Sequence, residues 1–166
     1  MQDSEVPETS SEAAHKRVEI QKIYAKDISY ETLDTPRIFT EQGTPKITQE
    51  MNVSNTVIDE ECYEVVLTVT MTVKINDKTA YLVEVNQAGI FNLLGGHTAE
   101  ETQTALAIFC PTVLFPYARE AIADLSGRGG FPPLVLQHVN FLGMYQGYLM
   151  KNKAALKKDS GDTLAG

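Results

Sequence analysis

Tryptophan is absent from this 166-residue chain, and two residue types that often carry chemistry are scarce: there are two cysteines and three histidines. Cys62 and Cys110 have no metal-ligand spacing, and His15, His97 and His138 stand alone in a tail and two loops, so neither a metal site nor a cofactor is expected. So few cysteines suit a reducing compartment, where both act as small buried residues. Cations are the next shortage. Fourteen Lys and Arg against 22 Asp and Glu leave a net charge of -8, which argues against nucleic acid or an anionic membrane as the main partner. No run reaches the roughly 18 apolar residues of a membrane helix, so no direct membrane insertion is expected. The opening MQDSEVPETSSEAAHK is polar and acidic, unlike a secretory leader, and the expected location is the cytoplasm.

Catalytic patterns are equally thin. Gly127-Arg128-Gly129-Gly130 follows a helical segment, lacks the Lys-Ser/Thr ending of a phosphate loop, and opens onto two prolines. It reads as a turn. Acid clusters such as Asp59-Glu60-Glu61 and Glu100-Glu101 sit in a turn and a first helical turn, where carboxylates are expected on electrostatic grounds. Nothing marks an enzyme.

What the chain does have is a long, regular strand. From Tyr63 to Ile75, Tyr63, Val65, Leu67, Val69, Met71, Val73 and Ile75 alternate with Glu64, Val66, Thr68, Thr70, Thr72 and Lys74, which predicts a strand with one dry face. A three-residue loop at Asn76-Asp77-Lys78 sets Val73 opposite Tyr81, Met71 opposite Val83 and Val69 opposite Val85, whereas a two-residue loop sets Glu84 against Val69 and is rejected. Leu82 then stands out as an apolar residue on a polar face beside Glu84. The strand is expected to end at Gln87, with Ala88 to Phe91 leaving the sheet.

Around this hairpin lie two further strands. Val18 to Thr32 changes phase near Ile23, which predicts a bulge, and Lys46 to Val57 alternates again. Between them Leu33 to Pro45, with two prolines and a glycine, reads as a crossover loop in which Ile38 and Phe39 are stranded. Thr98 with Glu101 three places on forms a capping box, but Pro111 and Pro116 predict a kink or a fresh start near Pro116. A last helix starts near the cap residue Asn140. The fold class is α+β: a four-stranded antiparallel sheet with helices packed on one face. Residues 18–157 form one domain, between disordered tails at 1–17 and 158–166. The sheet and the last helix carry more apolar surface than one thin layer hides, which points to self-association.

The runs IYAKDISYE (Ile23 to Glu31), YEVVLTVT (Tyr63 to Thr70), VNQAGIF (Val85 to Phe91), CPTVLFPYARE (Cys110 to Glu120) and GFPPLVLQHVNF (Gly130 to Phe141) together resemble the SecB protein-export chaperones of Gram-negative bacteria. The resemblance covers roughly Val18 to Leu149 and implies an ATP-independent holdase, a homotetramer built as a dimer of dimers. Such a protein keeps precursor proteins unfolded and passes them to the SecA motor. The positions matching the motor-binding residues of the family are Asp27, Glu31, Leu82 and Glu84, and those matching the tetramer-controlling residues are Val83, Val85 and Gln87. Phe39, Phe141, Met144 and Tyr145 are candidates for the client groove, chosen by apolarity and location. The chain departs from the family at its end, where KNKAALKKDSGDTLAG carries four lysines in place of a mainly acidic tail. Two other readings stand beside this one: a small-ligand-binding protein with Cys110 or His138 reactive, and an adaptor without a client groove, organised around Leu82 and Glu84.

Overall fold

The computed structural model describes residues 15–161, with side chains as far as Lys158. Four strands form one antiparallel sheet: β1 (Arg17–Thr32), β2 (Lys46–Asp59), β3 (Cys62–Ile75) and β4 (Lys78–Leu94). Their order across the sheet is β1-β4-β3-β2, so the chain crosses from one edge to the other between β1 and β2. The crossover does cover residues 33–45. Its middle is a 3-10 turn, Arg37–Thr40, that buries Ile38 in the core and leaves Phe39 half exposed.

The β3-β4 register is the one the alternation demands: Val73 pairs with Tyr81, Met71 with Val83 and Val69 with Val85. The turn that produces it differs. Ile75 pairs with Lys78 around a two-residue turn, in which Asn76 and Asp77 both adopt positive φ, and a bulge before Tyr81 then restores the apolar register. Asn-Asp tolerates the left-handed geometry that a tight hairpin requires, and one extra residue on a strand does the work assigned to a longer loop. The strand also does not end at Gln87. Ala88 and Gly89 remain paired, on one side with Tyr24 and Ile23 and on the other with Val66 and Val65. Small residues there look like a break in period, but Gly89 answers to the crowding beneath the helix, where the Phe91 ring would lie 2.7 Å from a Cβ. A Cβ on Gly89 would sit 3.1 Å from a Leu114 methyl carbon. In β1 two register shifts, at Ile20/Lys22 and Ala25/Asp27, flank Ile23 where one bulge was predicted.

The capping box forms as expected, with Thr98 and Glu101 each bonding the other's backbone N–H. From it rises one helical rod, Ala99–Arg128. Its parts are α1 (Ala99–Thr104), a π-helical turn (Ala105–Phe109) and α2 (Cys110–Arg128). Pro116 lies inside α2, so the helix does not start afresh there. The chain adjusts earlier: in the π turn the Cys110 N–H bonds the Ala105 carbonyl, loosening the ladder just ahead of Pro111. The rod is long and apolar enough to cross a membrane by length and composition alone. Its buried stripe, Cys110, Leu114, Ala118, Ile122 and Ser126, instead packs on β3 and β4. The buried Ser126 hydroxyl donates to the Ile122 carbonyl and accepts the Leu134 N–H at 2.8 Å, so it carries no unmet polar atom. The last helix, α3 (Phe141–Gly161), is capped by Asn140, whose Oδ1 accepts the Gly143 N–H at 3.0 Å.

Most of the expected tail at 1–17 and of that at 158–166 lies outside the described residues. Of the described part, Arg17 already belongs to β1, and α3 continues to Gly161. Lys16 bonds Glu101, fastening the approach to β1 onto the start of α1. With the Lys16 ammonium first and the Thr98 N–H second, Glu101 is held down at about 2, below its ordinary 4.5. Because the folded value is depressed, this contribution is complete above the unfolded value and disappears as pH falls from 4.5 towards 2. Lys16→Met should therefore move the Glu101 titration, followed by its carboxyl chemical shift, back towards 4.5. A value that stays near 2 would assign the whole effect to the Thr98 cap.

Candidate protein-binding faces

Alternation gives the sheet two faces, and β1 aligns its own residues with them. On the outer face Asp27 pairs with Asn86, Ser29 with Glu84 and Glu31 with Leu82. Asp27, Glu31, Leu82 and Glu84 thus share one flat surface of two adjacent strands, as their matching positions imply. Leu82 and Glu84 are half-buried and Asp27 and Glu31 exposed. Glu84 is positioned by its neighbours: the Thr70 hydroxyl donates to it at 2.9 Å, and Asn86, which accepts from Thr68, reaches it at 3.5 Å.

A second acid cluster on this face escaped the sequence reading. The Lys26 ammonium pairs with Glu64 at 2.8 Å, and the Tyr24 hydroxyl donates to the same carboxylate. Glu64 is held below the usual carboxylate range, first by Lys26 and then by Tyr24, and Tyr24 is pushed up to about 12 by that hydrogen bond. Glu64 is consequently compensated, and the negative character of the face rests on Asp27, Glu31 and Glu84, with Glu50 in register across Thr70. Lys26 reaches Glu64 from the second register shift of β1. That irregularity has no period to reveal it.

Val83, Val85 and Gln87 lie on the opposite face. All three are buried within the protomer, under α2, and the Gln87 amide donates to the Tyr24 carbonyl at 3.1 Å. They do not form a surface that a second copy could touch directly. The helical rod above them exposes Phe109 and Tyr117 on its outer side.

The groove candidates separate. Phe39 joins a run of aromatic rings, Tyr30 to Tyr81 at 5.7 Å, Tyr81 to Phe131 at 4.7 Å and Phe131 to Phe39 at 5.1 Å. Gly129 makes this possible, because a Cβ there would fall 1.6 Å from the Tyr30 hydroxyl oxygen. Phe131 was missed in the sequence since GFPP reads only as a loop. Phe141 is only 3 % exposed and stands edge-on to Phe115, so it belongs to the core and not to an open groove. Met144 and Tyr145 remain accessible on α3, which packs on the π turn. The two patches therefore sit towards opposite ends of the rod, some 20 to 30 Å apart at 1.5 Å per residue.

Cys110 is fully buried, and burial pushes its thiol up to about 12, the reverse of an activated nucleophile. Among the described residues, no three His, Cys, Asp or Glu side chains gather as a metal site would require. An acidic sheet face backed by a helix, with accessible aromatic patches, defines a protein-binding module.

The comparisons identify which one. A family profile described as preprotein translocase subunit SecB matches residues 11–152. The protein-export protein SecB of Hydrogenovibrio crunogenus is 44% identical, over 90% of this chain and 99% of its own length. That of Legionella pneumophila is 50% identical over 84% and 86%. A Mycobacterium tuberculosis SecB-like chaperone, solved in complex with a ChAD peptide from the HigA1 antitoxin, matches with a TM-score of 0.61 at 21% identity. That match spans 74% of this chain and 91% of the other, and shows a shared fold. The chain belongs to the SecB family of protein-export chaperones.

Proposed function

We propose that this chaperone is an ATP-independent holdase of the cytoplasm that captures unfolded precursor proteins and delivers them to the SecA motor, working as a homotetramer, a dimer of dimers. The observation that carries this reading is the division of labour across one sheet. The acidic face around Leu82 is a flat docking surface, whereas the aromatic run ending at Phe39 lies at the edge of the helix-covered side. Two apolar patches per protomer, well separated along the rod, suit a long unfolded segment that is bound weakly at many points. The exposed outer side of the helical rod, with Phe109 and Tyr117, supplies the apolar surface that a second pair of protomers would cover.

Charge reversal separates the two activities. Glu84→Lys should weaken binding to SecA by tenfold or more, through repulsion of whatever cation faces Glu84, while suppression of client aggregation is unchanged. Unaltered SecA affinity by calorimetry would remove the docking assignment. Loss of both activities in a folded protein would mean that the two surfaces are one, and would favour the adaptor reading without a client groove.

A further inference from the structure

The net charge hides a segregation. Residues 125–158 contain Arg128, Lys151, Lys153, Lys157 and Lys158 and no carboxylate, so that α3 carries four lysines against the single Asp159, while nine basic side chains face 21 acidic ones in the rest of the chain. The four lysines fall on α3. Along that helix Phe141, Tyr145, Tyr148, Leu149 and Leu156 follow a spacing of i, i+4, i+7, i+8 and i+15 and so share one face. Phe141 anchors the first turn in the core, and beyond it the face opens: Tyr148 is 61 % exposed and Leu156 70 %. By the same geometry Lys151 and Lys153 border the apolar arc on either side, and Lys158 lies on the polar side.

We propose that the outer part of α3 adsorbs to an anionic membrane surface, with Tyr148, Leu149 and Leu156 entering the boundary of the acyl region and the lysines meeting the acidic headgroups. A helix with an apolar face bordered by lysines has the composition of one that lies in the membrane interface. The acidic sheet does not cancel this attraction. α3 packs on the π turn and makes few contacts with the strands, and exposed charges farther apart than ~8 Å are largely screened at physiological salt. The net charge of -8 is an average over the whole chain, and α3 departs from it. Adsorption would place a loaded chaperone at the surface that its cargo must cross, without a spanning segment.

Purified full-length protein sedimented with phosphatidylglycerol-rich vesicles, and separately with phosphatidylcholine vesicles, tests this. Binding is expected to the first alone and to fade as salt rises. Lys151→Gln, Lys153→Gln and Lys158→Gln together should weaken it roughly 100-fold, at about fivefold per lysine near a charged surface. Since the chain has no tryptophan, Leu149→Trp introduces a single reporter, whose emission should shift to the blue on the same vesicles. Equal binding to both lipids, an unaffected triple variant, or unmoved tryptophan emission would overturn the proposal. So would capture of soluble polyglutamate in preference to vesicles, which would assign the lysines to an acidic protein.

Discussion

Val85→Arg will not yield a well-folded dimer of parental stability; it will strongly destabilise the protomer. Val85 has no exposed surface, pairs with Val69 on one side and Ile28 on the other, and faces the stripe of α2. An uncompensated charge at such a position costs about 3–5 kcal/mol, against total stabilities of roughly 5–15 for a domain. For a chain of this length that corresponds to a fall in melting temperature of about 6–20 °C. Val83→Arg should behave alike, since Val83 is equally buried. The simple expectation that a charge here would peel apart two subunits treats these valines as an interface, and they are the seat of the helix. Val85→Ala distinguishes the two views, because it leaves a void under α2 without a charge. The seat account expects a lower melting temperature with assembly lost only as α2 loosens. A soluble Val85→Arg dimer that melts like the parent would show that the side chain reaches a second copy directly.

The second large effect is expected at Phe39. This ring is half exposed and held by Phe131, so its removal should leave the fold intact while stripping the most accessible aromatic surface from the crossover. Burying one such side chain against a client contributes about 1.5–3 kcal/mol, and the loss recurs at every occupied protomer. Phe39→Ala should therefore raise the dissociation constant for an unfolded precursor at least tenfold, with melting temperature and SecA affinity unchanged. Client affinity equal to the parent, by calorimetry or fluorescence anisotropy, would move the binding surface away from the crossover, towards Met144 and Tyr145.

The part of this architecture that could be read from the chain is the part governed by local rules. In β3, propensity and period agree over 14 residues, which gave the hairpin register, both faces, and the side on which Leu82 stands. The capping box at Thr98 and the cap at Asn140 are equally local. Three features were not legible, each for a physical reason. The Asn76-Asp77 turn and its bulge give the same register as a longer loop, so the pattern cannot tell them apart. The prolines of α2 suggest a break, yet a widened turn at 105–109 and burial on the sheet outweigh the local penalty. Ala88 and Gly89 look like the end of a strand because small residues contribute nothing to a period, although at Gly89 the Phe91 ring and Leu114 of α2 leave no room for a side chain. Among the site residues, the grouping of Asp27 and Glu31 with Leu82 and Glu84 was implied by resemblance, and β1 pairing with β4 brings them together. The burial of Phe141 and the partnership of Phe39 with Phe131 depend on contacts between distant segments. No window along the chain contains them.

As the holdase proposed above, this chain would hold unfolded proteins without consuming energy. The most direct measurement is light scattering from a chemically unfolded precursor diluted into buffer without nucleotide, with the purified chaperone present at one tetramer per client. The account expects scattering to stay near baseline and a chaperone-client complex to elute as one species. Scattering that rises as fast as with the client alone would contradict it.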